Sequence, residues 1–161
     1  MSSVRAGITA RLRKLRRGLY VLWLDYCPAQ ALWLGRLDPA AFGRAAEAYV
    51  AEHLAQAGWR VIGRRAQAPG AELDIVAWDG KVLVAVEVKA ARVAERVGSR
   101  FRPGKRLDHR RLSRQHRALT QLARQLAGPC DHRVDLVELY LVAGIRRPQL
   151  VHLRDRQRPL R

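Results

Sequence analysis

The chain has 161 residues, 48% of them apolar, and carries 31 Lys and Arg against 14 Asp and Glu, a formal net charge of +17. That length fits one domain with room for an arm, and that apolar fraction excludes wholesale disorder. A field this positive attracts polyanions, either nucleic acid or an anionic membrane surface.

No apolar run approaches the ~20 residues that span a bilayer, and the longest candidate, Leu19 to Leu24, stops at Asp25. No secretory signal is expected, since no small-residue cleavage site follows a proper apolar run. Cys27 and Cys130 form no spaced cluster, which excludes a zinc ribbon or a disulfide framework. They read as reduced thiols, and the expected location is cytoplasmic. The charge is uneven along the chain. Residues 41–89 hold six basic and six acidic residues, whereas residues 90–133 hold twelve and three. A neutral, carboxylate-bearing middle between basic flanks suits acids that hold a cation beside groups that hold a phosphate backbone. It equally suits a plain core.

In chain order, Val4, Ile8, Leu12, Leu15, Leu19 and Leu22 recur at helical spacing, with six basic residues between them and no acid before Asp25. Residues 1–38 are therefore expected to be a basic helical arm. Such a helix over residues 4–24 can lie on a membrane surface, bind nucleic acid, act as a transit peptide or dock on its own domain, and a docked or loosely held arm is the favoured expectation. Asp38-Pro39 reads as N-cap and first turn of a second helix. Its apolar stripe is Phe42, Ala46, Tyr49, Val50, His53 and Leu54, closed near Gly58. His53 is expected at the core or its edge. Glu47 lies at the stripe's edge, where Gly43, one turn before it, would allow a close approach. An exposed Glu47 paired with an Arg is the plainer alternative.

Trp59 to Arg65 predicts a short strand, and Gln67 to Ala71 a loop. Residues 72–78 and 81–89 are rich in β-formers and flank Asp79-Gly80, a strong hairpin signal. With Asp79-Gly80 as a two-residue turn, paired positions sum to 159. Glu72 then faces Glu87, and Glu87 is the diagonal neighbour of Asp74, about 7–8 Å away between backbones. Alternation places Asp74, Glu87 and Lys89 on one face, with Leu73, Ile75, Ala77, Val82, Val84, Val86 and Val88 on the other. Two carboxylates so placed repel and lose hydration, a conflict that a hard divalent cation removes. A surface salt-bridge lattice is the other solution. Residues 90–104 predict an irregular basic loop. Residues 106–127 predict a helix with Leu112, Leu119, Leu122, Ala123 and Leu126 on one face and arginines on the other, closed by Gly128-Pro129. Arg133 to Ala143 alternates as a strand, and one more strand is expected around 150–153.

Three stretches in this order resemble the YraN family of restriction-endonuclease-like proteins: Gly43-Arg44-Ala45-Ala46-Glu47, Gly70-Ala71-Glu72-Leu73-Asp74-Ile75-Val76 and Val86-Glu87-Val88-Lys89. They match the Asp…Glu-x-Lys pattern of the wider PD-(D/E)xK nuclease superfamily. Ser113 to Arg117 resembles the family's Lys-containing helix, and Val134 to Val137 its late strand. The resemblance covers about residues 39–155, leaving a basic tail at 156–161. It implies an α/β fold with a mixed sheet of four or five strands flanked by helices. It further implies a nuclease dependent on Mg²⁺ or Mn²⁺, acting on DNA or RNA. Asp74, Glu87 and the Val88 carbonyl would hold the metal, Lys89 would orient water or stabilise transition-state charge, and Glu47 would assist. Arg64, Arg65, Arg110, Arg114 and Arg117 are the candidate phosphate contacts. The rival reading is a non-catalytic nucleic-acid-binding module that keeps the fold. There are three departures from the family pattern: Ala71 replaces a Gly, Ala90-Ala91 replace a small-polar and Arg pair, and Arg114 replaces a Lys. They bear on rate and on the grip of substrate. No Walker A or dinucleotide fingerprint occurs, so no nucleotide cofactor is expected.

Overall fold

The computed structural model describes residues 26–33, 38–94, 109–128, 130–145 and 147–155. The predicted N-terminal helix over 4–24, most of the predicted basic loop and the 156–161 tail lie outside these residues. The described elements run α1 (Pro28–Trp33), α2 (Pro39–Gln56), β1 (Arg60–Ala68), β2 (Ala71–Asp79), β3 (Val82–Val93), α3 (His109–Ala127), β4 (His132–Val142) and β5 (Gln149–Leu153). The five strands form one sheet in the order β1-β2-β3-β4-β5. Only the β3–β4 pair is parallel, because only there does a helix carry the chain back across the sheet. Among the described residues no helix is long and apolar enough to cross a membrane.

Both faces of the sheet are covered. On one, α1 and α2 pack Leu32, Ala45, Ala46, Val50 and Leu54 against Ile75, Ala77, Val84, Val86 and Val137. On the other, α3 packs Leu112, Ala118, Leu119 and Ala123 against Val76, Leu83, Ala85 and Val134. Helix α2 begins as expected: Asp38 accepts the Ala41 N–H at 2.9 Å, and Pro39 opens the first turn. Its buried face is mostly alanine, which lets its backbone lie close to the sheet. His53 is exposed rather than at the core edge, because Val50, Ala51 and Leu54 fill the contact. A side chain at Gly43 would meet nothing within 4 Å, so no close approach requires that glycine.

Other expectations are corrected. Residues 67–71 are not a loop: β1 runs to Ala68, Ala68 pairs with Ala71, and only Pro69-Gly70 turn, with Gly70 at φ 83°. The β2–β3 turn is Gly80-Lys81, since Asp79 pairs with Val82 and paired positions sum to 161. Gly80 alone takes positive φ (60°), as a type II′ turn requires; Asp79 in a type I′ turn would also have to adopt it. Strand β3 does not end at Lys89 but continues to Val93, matched residue for residue by β4, with Arg92 lying 4.3 Å from the Phe42 ring. Leu73 packs under α3 instead of sharing the face of Ile75. The β1–β2 ladder passes from Arg64↔Ile75 to Ala66↔Leu73, leaving out Arg65 and Asp74, and Arg65 sits at φ 50°. The ladder's register shift itself falls earlier, between Val61 and Gly63.

Candidate functional site

A two-residue register change preserves parity, so Asp74 and Glu87 keep a common face. Continuing the observed register places them directly opposite rather than diagonal, with Glu72 paired to Gln67 of β1 instead of facing Glu87. Both carboxylates are buried, Asp74 at 8% and Glu87 at 1% exposure. One guanidinium nitrogen of Arg111, in the first turns of α3, reaches both: 3.8 Å to Asp74 Oδ1 and 2.9 Å to Glu87 Oε1. Lys89 Nζ lies 2.5 Å from Glu87 Oε1. Gln115, one helical turn beyond Arg111, donates its Nε2 to Glu87 Oε2. The three residues expected on one face of the hairpin are thus brought together under α3.

Asp74 accepts the Val88 N–H at 2.9 Å. The N–H and C=O of a strand residue point the same way. The Val88 carbonyl therefore faces the Asp74 side, past the end of the β2–β3 pairing at Ile75↔Val86. Burial first, and then the Glu87 charge, push the Asp74 carboxyl up to about 6. Glu47 reaches the neighbourhood from α2. Burial and then the Asp74 charge raise it to about 7, against the opposing pull of Arg65 at 3.6 Å.

A cleft of about 390 Å³ opens beside the carboxylates, lined by Gly70, Ala71, Glu72, Arg111, Arg114 and Gln115. Arg110, Arg114 and Arg117 are exposed along α3. Arg64 and Arg65 line a separate hollow of about 230 Å³ with Arg44 and Glu47, and Arg65 also pairs with Glu72 at 3.1 Å. The candidate phosphate contacts therefore fall in two places, with Arg114 alone lining the cleft beside the carboxylates.

The sequence reading missed Arg111, Gln115 and Glu138. Glu138 on β4 is buried, stands in register with Lys89 and accepts the Tyr140 hydroxyl at 2.9 Å. Gln115 had a legible signal: it falls three residues after Leu112 and four before Leu119, a polar residue in the buried stripe. Arg111 had none among so many arginines.

The donor set suits a hard divalent ion that keeps most of its water. Two buried carboxylates stand opposite each other, with the Val88 carbonyl on the Asp74 side of its strand. Among the described residues no group of three or more His, Cys, Asp and Glu gathers, as a closed transition-metal site would need.

A five-stranded mixed sheet between helices, with Asp and Glu-x-Lys on paired central strands, defines a restriction-endonuclease-like α/β protein. Residues 46–139 match the model of the uncharacterised protein family UPF0102, and the chain belongs to that family. It is 37% identical over 114 residues to a UPF0102 protein of Paenarthrobacter aurescens, covering 70% of this chain and 89% of that one. A UPF0102 protein of Symbiobacterium thermophilum is 39% identical over 97 residues, 60% and 80% of the two chains. One of Caulobacter vibrioides is 38% identical over 113 residues, 70% and 83% of the two chains.

Proposed function

We propose that the protein is a divalent-metal-dependent nuclease that hydrolyses phosphodiester bonds of DNA or RNA. The observation that carries this reading is the gathering of Asp74, Glu87 and Lys89 behind Arg111 and Gln115, two of the residues that line the adjoining cleft with Arg114. Asp74, Glu87 and the Val88 carbonyl would hold Mg²⁺ or Mn²⁺. Such an ion supplies a water of lowered pKa and screens charge on the phosphorus. Lys89, anchored on Glu87, presents an ammonium where a water must be aimed or where charge builds on phosphoryl oxygens. Glu47, raised to about 7 and lining the neighbouring hollow with Arg44, Arg64 and Arg65, would take or return a proton from that side. Arg114, Arg110 and Arg117 offer phosphate contacts along α3, and Arg64 and Arg65 a second set.

The test is a panel of duplex, branched and single-stranded DNA and RNA incubated with Mg²⁺ or Mn²⁺. Wild type should cleave at least one class, and Glu87→Gln and Lys89→Met should not, with circular dichroism spectra unchanged. One observation favours a second reading, a binding module without catalysis: Arg111 and Lys89 already neutralise both carboxylates. That module would bind nucleic acid in a salt-sensitive way that survives Glu87→Gln, and no metal would elicit cleavage.

A further inference from the structure

Glu87 is crowded by donors. Its two oxygens receive Lys89, Arg111 and Gln115, and its side chain has no exposed surface. A carboxylate whose lone pairs are all engaged has none left for a cation. Two of the three donors are charged and reach the site from long, partly exposed side chains. The third is a neutral amide on the buried stripe of α3, 2% exposed.

The other end of that amide is unusual. Gln115 Oε1 is buried and has no hydrogen-bond partner, and it alone stands so among the described residues' buried side-chain polar atoms. An orphaned buried carbonyl oxygen is costly and calls for an explanation. It lies on the group that touches Glu87 and lines the cleft. The two ends of an amide are nearly equal in shape, so half a turn about the last torsion exchanges them without repacking. That turn withdraws a donor from Glu87 and presents an oxygen in its place. Amide carbonyl oxygens are ordinary ligands of hard divalent cations.

Taking the reading above as its basis, we propose that Gln115 is the third side-chain ligand of the divalent site, its Oε1 turning toward the cation that Asp74 and Glu87 hold. The amide then has two states. Without a cation it donates to Glu87 and keeps that buried charge satisfied. With a cation it frees a Glu87 lone pair and completes the shell. The site would thus carry one neutral oxygen ligand from α3, tying the helix that bears Arg111 and Arg114 to occupancy of the metal position.

The test measures Mn²⁺ affinity by electron paramagnetic resonance on the full chain, without substrate. Gln115→Met keeps the length and removes the hard oxygen, and should weaken Mn²⁺ binding roughly ten- to a hundredfold, the usual effect of losing a supporting group at a metal site. Gln115→Glu restores an oxygen with a charge and should bind more than tenfold tighter than wild type. Wild-type affinity in the Met variant, with binding abolished by Glu87→Gln, would overturn the assignment and leave the metal site standing. No Mn²⁺ binding by wild type would overturn both. Should the Met variant fail to fold, the Glu variant decides, and affinity at or below that of wild type overturns the assignment.

Discussion

Lowering the pH should stabilise the cation-free protein through two specific carboxyls. Asp74 is raised from 3.8 to about 6, chiefly by burial and the Glu87 charge, and Glu47 from 4.5 to about 7, chiefly by burial and the Asp74 charge. Each keeps its proton in the native state at a pH where the unfolded chain has lost it. Native stability therefore falls as pH rises from about 4 to about 7, and the penalty is complete above the folded values. Between pH 5 and pH 8 the two groups together remove about 3 kcal/mol, at about 1.4 kcal/mol per pH unit and with a discount for the solvent near Glu47. For a chain of this size that corresponds to roughly 6–12 °C in melting temperature. His116, held below its usual value by burial and by His132, acts with the opposite sign near pH 6.5. Asp135, held low, is ionised in both states across this window.

Thermal melts in EDTA at pH 5 and pH 8, for wild type and for the Glu47→Gln, Asp74→Asn double variant, isolate the effect. The wild type should lose stability relative to the variant as pH rises. Adding Mg²⁺ at pH 8 should recover stability in wild type alone, by about 2.7 kcal/mol at a hundredfold excess over Kd. Equal pH dependence in both proteins would refute the assignment of the shifts to these carboxyls.

Arg111→Ala should tighten Mn²⁺ binding several-fold, because one guanidinium nitrogen spans the two carboxylates in the cation-free site; isothermal titration measures it. Lys89→Met, which also takes a donor off Glu87, should bind Mn²⁺ at least as tightly as wild type yet lose at least a hundredfold in single-turnover cleavage, since Lys89 acts on charge in the reaction. Asp135→Asn should lower stability by about 3–5 kcal/mol in urea melts. Fully buried Asp135 takes Arg133 at 3.0 Å, His152 at 2.9 Å and the Asp155 N–H at 2.9 Å, holding β5 and the chain after it to β4. Hydrogen exchange in that variant should rise first in β5.

The hairpin was legible because its signal is local: two β-rich runs about one Gly. The turn was placed one residue early, yet the face of Asp74 and Glu87 survived, because the resulting two-residue change in pairing keeps alternation in phase. A single-residue change would have sent one carboxylate through the sheet. The extension of β3 through Ala90-Ala91-Arg92-Val93 was not legible. Those residues carry little strand propensity, and their partner, β4, begins nearly forty residues later. Leu73 was misassigned because period-two reasoning assumes a regular strand, and the irregularity at Asp74 is signalled only across the sheet, by Arg65 at positive φ. The α3 side of the site was hidden for a related reason. Helical spacing places Arg110, Arg111, Arg114 and Arg117 around one cylinder, and only the packing of Leu112 and Leu119 decides which of them looks inward.

Anomalous diffraction from crystals soaked in Mn²⁺ tests the central claim most directly. One strong peak is expected about 2.0–2.2 Å from oxygens of both Asp74 and Glu87, with the Arg111 guanidinium displaced from between them. A peak elsewhere, or no peak with Arg111 still bridging the two carboxylates, would contradict it.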